Sequence, residues 1–321
     1  QNPLMERRSC RYLCKTAGCC MGTQKGALMT NGERLRELLA GDTIIMAPGA
    51  YDAWSAKLVA QAGFPAVYMT GYGVSASTLG APDIGLISFK EMLDAAQNIV
   101  RSAGIAALCD ADTGFGGRLN VMRTVEAYEN AGVAAIQLED QVMPKRCGHM
   151  EGKQLISTEE MVAKLKIAQA TRKDPSLCII ARTDATAVEG FAAALERAKA
   201  YEAAGADIIF MEALTSREQM REACAAIRRP MLANMVEHGK TPMLEASALQ
   251  QIGYKLAIYP TGALFAATKA VLDFLSQLRR TQTLTECLPH MVDFPEFNRL
   301  MGLEELRKYE CSFGCQAAEN S

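Results

Sequence analysis

The chain has 321 residues, of which 49% are hydrophobic and 22% are charged, a composition typical of a globular protein with a large core. This length suits one large α/β barrel or two medium domains. A formal net charge of −2 provides none of the basic surface that binds nucleic acid or anionic membranes, and apolar runs of about five or six residues are far shorter than the roughly 20 of a membrane helix.

The two ends of the chain lack hydrophobic periodicity. Residues 1–28 contain no apolar stretch of the secretory-signal type, but they are basic and poor in acids, which leaves an organelle-targeting role open. We expect a disordered or non-native extension there, with the folded protein beginning near Met29, and a loose tail over residues 311–321. The clustered cysteines lack zinc-ligand spacing, and their distribution fits a reducing, cytoplasmic compartment.

From residue 43 onward, eight apolar runs of seven residues or fewer recur along the chain. Runs of this kind are typical of strands in a parallel sheet that is covered on both faces. They are TIIMA (43–47), AVYMT (66–70), IAALCD (105–110), AAIQLED (134–140), LCIIAR (177–182), DIIFME (207–212), MLANM (231–235) and LAIYPT (256–261).

Amphipathic helical segments separate the runs, and several end in a glycine that stops the helix before the next strand. One segment opens with STEE (157–160), the pattern of an N-terminal capping box. Eight strand–helix units in about 230 residues predict a closed (β/α)8 barrel of the TIM type over residues 29–270. Because no G-x-G-x-x-G sequence follows the first run, a dinucleotide-binding fold is disfavoured.

Two more helical segments follow the eighth run, GALFAATKAVLDFLSQLRR (262–280) and FPEFNRLMGLEELRKYE (294–310). They exceed what eight strand–helix units require. We therefore expect residues 271–310 to form a C-terminal helical appendage that mediates subunit contacts.

Polar residues stand at the ends of consecutive predicted strands, where a barrel of this type places its active site. The acids Asp110, Asp112 and Glu139 follow the third and fourth runs, and Glu212 and Asn234 end the sixth and seventh. Carboxylate oxygens without histidines select Mg²⁺, or Mn²⁺, over zinc. The pattern therefore predicts a magnesium site at the mouth of the barrel.

Two features point to an acidic substrate. The guanidinium of Arg182, at the end of the fifth run, matches both oxygens of a carboxylate, although an ion pair with a neighbouring acid is the alternative. The TGYG sequence (70–73) offers backbone N–H groups for a second anion. Two carboxylate-binding features beside magnesium favour a small dianionic organic acid.

The blocks APGAYDAWSA, GYGVSASTLGAPDIG, DADTGFGG, LEDQVMPKRCGHMEGK, ARTDA and FMEA occur in an order and spacing that resemble the isocitrate lyase/phosphoenolpyruvate mutase superfamily. The resemblance runs from about Met46 to Ala270, and KRCGH is similar to the loop of the lyase branch, which includes 2,3-dimethylmalate and 2-methylisocitrate lyases. It implies a helix-swapped barrel, a homotetramer built as a dimer of such dimers, and magnesium as cofactor.

The resemblance also implies roles for individual residues. The implied metal site comprises Asp83, Asp110, Asp112 and Glu139, with Asp110 the direct ligand and the others acting partly through water. The implied contacts to the substrate come from Thr70, Gly71, Tyr72, Arg182, Glu212 and Asn234. The implied mobile catalytic loop carries Lys145, Cys147, Gly148 and His149.

The implied reaction is the retro-aldol cleavage of a 2-hydroxy di- or tricarboxylate to a 2-oxo acid such as pyruvate. Cys147 is suited to protonate the carbanion that forms, because Lys145, Arg146 and His149 are expected to lower its pKa. Isocitrate lyases proper are longer, and oxaloacetate hydrolases are expected to have a serine near the eighth strand, where this chain reads Tyr259-Pro260-Thr261. A phosphonate-processing mutase, an oxaloacetate hydrolase and a non-catalytic binding barrel remain the alternatives.

Overall fold

The computed structural model describes residues 29–148 and 150–313. His149 and the predictions for residues 1–28 and 314–321 therefore lie outside the described residues. Eight strands lie within one or a few residues of the predicted runs, and they are β1 (Ile45–Ala50), β2 (Ala66–Met69), β3 (Ala106–Asp110), β4 (Ala135–Glu139), β5 (Cys178–Thr183), β6 (Ile208–Met211), β7 (Leu232–Asn234) and β8 (Leu256–Tyr259).

The strands form one parallel sheet that closes on itself. Neighbouring strands pair in the order β6-β5-β4-β3-β2-β1-β8-β7, and a parallel bridge between Ile209 and Met231 joins the two ends. Every residue of β2 to β7 is buried, as expected where helices cover the outer face and side chains fill the interior. The predicted (β/α)8 barrel of the TIM type is confirmed.

Helices connect the strands and continue beyond the last one. Those of the barrel are α1 (Asn31–Ala40), α2 (Ala53–Gln61), α3 (Gly71–Leu79), α4 (Phe89–Ala103), α5 (Arg118–Ala131), α6 (Thr158–Thr171), α7 (Ala185–Val188), α8 (Phe191–Ala203), α9 (Arg217–Ala226) and α10 (Ala246–Ile252). After β8 come α11 (Gly262–Thr281), a 3-10 turn (Leu288–His290), α12 (Phe294–Met301) and α13 (Leu303–Cys311).

The apolar core consists of two layers on either side of the sheet. One layer fills the space between strands and helices, and the other fills the barrel interior with side chains such as Ile45, Leu108, Ile180 and Phe210. Leu35 of α1 belongs to the interior layer and is fully buried. Because α1 also bonds to residues that precede β4 and β5, it covers the amino end of the barrel and leaves the carboxyl end open.

The observed helix ends show which helix boundaries the local sequence patterns predicted correctly. Ser157 caps α6 by accepting from the Glu160 N–H, as predicted, but the Glu160 carboxylate pairs with Arg118 at 2.6 Å. The predicted single segment over residues 294–310 is divided in two, since Gly302 adopts the left-handed conformation (φ 80°) that ends a helix.

The described chain divides into two compact units, residues 29–269 and the C-terminal residues from Ala270. Within the described residues, no helix has both the length and the apolar character needed to cross a membrane.

Candidate active site

A cavity of about 230 Å³ opens at the carboxyl end of the barrel. The cavity therefore has room for a small organic molecule. Strand ends supply most of its polar lining, and further polar side chains come from α3, from the loop after it and from the loop after β4. The polar and lid residues around it include Thr70, Tyr72, Asp83, Asp110, Glu139, Lys145, Cys147, Gly148, Arg182, Glu212, Asn234 and Glu237.

A buried lysine lies among the acids of this cavity. The Lys145 Nζ is 2.6 Å from Asp83 Oδ1 and 2.8 Å from Asp112 Oδ1, and its side chain is 3% exposed. Burial alone lowers the pKa of Lys145, but the carboxylates of Asp112, Glu139 and Asp83 outweigh burial and raise it well above its ordinary value. Lys145 therefore remains an ammonium group and does not act as a base.

The acids around Lys145 respond to the same burial. Burial raises the pKa of Asp112 to about 6, against the opposing effect of Lys145. Burial also raises the pKa of Glu139 well above its usual range, with Arg182 opposing it. Burial thus disfavours the ionised form of both carboxyl groups, and a cation bound beside them would favour it.

Asp110 ends β3 and is fixed from several sides. Its Oδ1 accepts from the Asp112 N–H at 3.1 Å and from the Gln137 amide at 3.4 Å. A Cβ on Gly71 would lie 2.7 Å from Asp110 Oδ2, so glycine at that position allows α3 to begin directly against the carboxylate. Two sequence-predicted residues are in this way held in contact.

The acids of the cavity offer the oxygen donors that a hard divalent cation requires. Among the described residues, the buried oxygens Asp112 Oδ2 and Glu139 Oε1 accept no hydrogen bond, and such oxygens are costly unless a cation or water is bound. No three His, Cys, Asp or Glu side chains of the described residues already stand at ligand spacing. The residues therefore fit magnesium in their chemistry and charge, but their carboxylate oxygens do not converge on a single point.

Arg182 lies fully within a ring of carboxylates. Its Nε and Nη2 contact both oxygens of Asp184 at 2.9 and 3.1 Å, and further contacts reach Glu139 at 3.4 Å and Glu212 at 3.3 Å. The ion pair with a neighbouring acid, considered as the alternative for Arg182, is present. The Nη1 group is not used by these contacts, and Arg182 also lines the cavity, so it retains capacity for a substrate carboxylate.

The residues at the ends of β6 and β7 orient one another. Glu212 Oε1 accepts from the Ala213 N–H at 2.8 Å, and Glu212 Oε2 accepts from the Asn234 amide at 3.0 Å. These bonds turn both side chains toward the cavity they line.

The TGYG sequence contains the start of helix α3. Thr70 is the N-cap and accepts from the Gly73 N–H at 3.4 Å, so the first N–H groups of α3 face the mouth of the barrel. A helix N-terminus binds anions through these N–H groups and its dipole. Tyr72 packs edge-on against Phe265, with ring centroids 6.2 Å apart, and both line the cavity.

Residues 141–148 and 150–155, which we term the lid, fold over the cavity. An antiparallel bridge joins Gln141 to Leu155 at the base, and the Gln141 amide bonds both backbone groups of Arg146. On one side the Cys147 N–H donates to the Asp83 carbonyl at 3.2 Å, so Cys147 lies above the acids and lines the cavity.

On the other side the lid approaches the barrel through glycine. A Cβ on Gly148 would lie 2.4 Å from Arg182 Nη2 and 2.8 Å from Glu212 Oε2, so no larger residue fits without movement. Lys153 bonds the Gly148 carbonyl and lies 2.8 Å from Asp184 Oδ1. The lid thus closes by direct contact with the polar strand ends.

The family model for phosphoenolpyruvate phosphomutase matches residues 35–279 of this chain. The chain belongs to this family. A 2,3-dimethylmalate lyase of Eubacterium barkeri is 51% identical over 285 residues, covering 89% of this chain and 99% of the relative. A 2-methylisocitrate lyase of Aeropyrum pernix is 44% identical over 285 residues, covering 89% and 92%.

Solved structures of the family agree with this assignment. A 2,3-dimethylmalate lyase, in its trigonal crystal form, superposes with a TM-score of 0.85 at 37% identity, covering 92% of this chain and 99% of that one. An oxaloacetate acetylhydrolase bound to 3,3-difluorooxalacetate gives 0.86 at 34% identity, covering 90% and 99%. With lyases as its close sequence relatives, this member of the phosphoenolpyruvate phosphomutase family is a carbon–carbon lyase.

The structure brings together nearly all of the side chains predicted from the sequence. Asp112 and Gly71 lie against the cavity-lining acids rather than on the cavity surface, and His149 lies outside the described residues. Lys153 and Asp184 were visible in the sequence, but no role was assigned to them. Gln141, which fixes the lid, gave no signal of its own, because an amide after a strand is common in any loop.

Proposed function

We propose that this lyase cleaves a 2-hydroxy dicarboxylate of the 2,3-dimethylmalate type, with 2-methylisocitrate as the nearest alternative substrate. The observation that supports it best is the position of Cys147, on a lid that covers a cavity containing Arg182 and buried carboxylates. A thiol in that place is suited to give a proton to a carbanion that forms in the cavity.

The proposed reaction balances without any oxidant or reductant. The substrate hydroxyl loses its proton to solvent water, the C2–O bond becomes a carbonyl, and the C2–C3 bond breaks with its electron pair moving to C3. The Cys147 thiol gives its proton to C3, and the thiolate is reprotonated afterwards. From 2,3-dimethylmalate this sequence yields pyruvate and propionate.

Other side chains of the site would bind and orient the substrate. Arg182 and the N–H groups at the start of α3 would bind the two carboxylates and fix the C2–C3 bond beneath Cys147. Glu212 holds the guanidinium of Arg182 and the amide of Asn234 in place. Positioning of this kind supplies much of the rate enhancement of such reactions.

We propose magnesium, or manganese, as the cofactor, held by Asp110 with Asp83, Asp112 and Glu139. The unsatisfied oxygens of Asp112 and Glu139 support this proposal. When bound, the cation would supply Lewis acidity to the substrate hydroxyl and carboxylate and would neutralise developing charge.

The test is a pyruvate assay coupled to lactate dehydrogenase, with 2,3-dimethylmalate, 2-methylisocitrate and oxaloacetate each supplied with and without Mg²⁺. Pyruvate from either of the first two substrates supports the proposal. Oxalate and acetate from oxaloacetate, without cleavage of the others, would assign the chain to the hydrolases. Phosphorus NMR with phosphonopyruvate tests the mutase alternative. If none of these four compounds is converted, a non-catalytic binding barrel is favoured.

We also propose a homotetramer in the cytoplasm. Exposed apolar side chains on the C-terminal helices support subunit contacts, among them Val271 and Leu272 of α11 and Phe294 of α12, which is 81% exposed. The thiol of Cys147 has to remain reduced for the chemistry, which a reducing compartment ensures. Sedimentation of the L272E variant tests the assembly, because a monomer at assay concentrations is expected if this face is the interface.

A further inference from the structure

The lid carries a second buried lysine that the proposed chemistry does not use. Lys153 is 8% exposed, its Nζ lies 2.8 Å from Asp184 Oδ1, and it also donates to the carbonyl of Gly148. Lys153 is not among the residues that line the cavity. Its ammonium group therefore connects one lid carbonyl with one carboxylate of the barrel and does not reach a bound substrate.

Asp184 is a rigid anchor for this connection. It follows β5 directly and is fully buried, its N–H donates to Asp140 Oδ1 at 3.0 Å, and both of its oxygens contact Arg182. Burial raises the pKa of Asp184, but Arg182 and Lys153 outweigh it and lower the pKa to about 2. Asp184 is thus a permanent anion shared by the lid and by the arginine of the site.

We propose that Lys153 and Asp184 form a latch that holds the lid closed, and that Lys153 is a positioning residue for Cys147. The Gly148 carbonyl held by Lys153 belongs to the residue next to Cys147, so the latch determines how deeply the thiol is seated. Because Asp184 also orients Arg182, a single carboxylate fixes the thiol and the substrate-binding arginine relative to each other.

The other contacts of the lid do not replace the latch. The bridge between Gln141 and Leu155 lies at the base, and the contacts that the Cys147 N–H and the Lys145 ammonium make with Asp83 lie on the opposite side. Without Lys153, the Gly148 carbonyl would lose the hydrogen bond that it accepts from the Lys153 ammonium group. Asp184 would keep Arg182 as its partner, so the barrel itself should remain folded.

The experiment measures alkylation of Cys147 by iodoacetamide, using peptide mass spectrometry on the full-length K153M variant and on the original protein. We expect at least a 10-fold faster reaction at Cys147 in the variant. Removing a nearby positive charge disfavours the thiolate, so a faster reaction reports exposure of the thiol rather than activation. The E151Q variant changes an exposed lid residue and is expected to react at the original rate.

Cys178 in β5 provides the internal reference, because it is buried and burial raises its pKa to about 12. Faster labelling of Cys147 alone supports the latch. An unchanged rate at Cys147, or a parallel rise at Cys147 and Cys178, overturns it, since a parallel rise would mean that Lys153 supports the whole fold. Labelling requires no substrate, so its result tests the latch independently of the proposed function. The catalytic role of the latch rests on that proposed function.

A second variant gives an independent readout. In K153A, added ethylammonium is expected to occupy the vacated position and to slow the labelling of Cys147 toward the original rate. Under the lyase assay the same variants should lose about 10²-fold in kcat with a few-fold change in KM, because a displacement of about 1 Å has that effect on aligned groups. Failure of ethylammonium to protect Cys147 in a folded K153A protein would contradict a latch formed by the ammonium group.

Discussion

Replacing Gly148 with alanine tests the closed lid at its narrowest point. The new Cβ would lie 2.4 Å from Arg182 Nη2, whereas ordinary contacts of a Cβ begin at 3.4 Å, so the lid or the guanidinium has to move by about 1 Å. A displacement of that size costs aligned groups about 10²-fold in rate, or roughly 3 kcal/mol of transition-state stabilisation. We therefore expect kcat of G148A to fall by about that factor in the coupled pyruvate assay.

The fold should tolerate this change. Gly148 does not have the positive φ that would strain an alanine, so the melting temperature is expected to stay close to the original. Gly41 provides the matched control, since it has a φ of −71° and its nearest atom to a new Cβ is the Leu38 carbonyl oxygen at 3.4 Å. G41A should keep full activity, and a G148A enzyme with unchanged kcat and KM would refute the tight approach of the lid to Arg182.

Three further changes test the thiol, the anchor carboxylate and the metal. Substituting Cys147 by alanine should lower kcat by about 10²–10⁴-fold with little change in KM, and near-normal turnover would remove the thiol from the chemistry. Asp184, with its pKa lowered to about 2, contributes stability that is present above pH ~4 and is lost as pH falls toward 2. Between pH 5 and 2, the free energy of unfolding measured in urea should therefore fall by about 2 kcal/mol less in D184N than in the original protein. Chelation by EDTA should abolish activity, and added Mg²⁺ should raise the melting temperature of the original protein but not of D110N; activity that persists after exhaustive chelation would contradict the metal proposal.

The barrel was predictable because each of its units carries its own local signal. Strands such as IIFM in β6 are apolar on both faces, and helices such as α4 begin with a capping box between Ser88 and Glu91 and end at a left-handed glycine. Helix α3 was missed, since GYGVSASTL has no amphipathic stripe and reads as a loop. Its start is specified by tertiary contact, with Gly71 against Asp110.

The site was predictable in its membership but not in its contacts. Carboxyl ends of parallel strands converge at one end of a barrel, so Asp110, Glu139 and Arg182 were expected to meet. The sequence also indicated that Lys145 and Arg146 would act on the Cys147 thiol. In the structure the Lys145 ammonium contacts two carboxylates, and the Arg146 guanidinium donates to the Glu151 carbonyl at 3.0 Å. Side-chain directions in a loop depend on partners that are distant in sequence, and composition contains no information about them.

Charge at the mouth of the barrel is divided between the barrel and the lid. The barrel supplies the carboxylates and Arg182, whereas two buried ammonium groups that form ion pairs with these carboxylates, those of Lys145 and Lys153, belong to the lid. A buried carboxylate without a partner costs several kcal/mol, so an open lid would deprive Asp83, Asp112 and Asp184 of their ammonium partners, and a closed lid provides them with two cations. The acids are therefore the surface on which the lid docks as well as the proposed ligands of a metal. A substitution at one of them is expected to alter the closure of the lid together with the chemistry, which is why Cys147 labelling, measured beside turnover, separates the two effects.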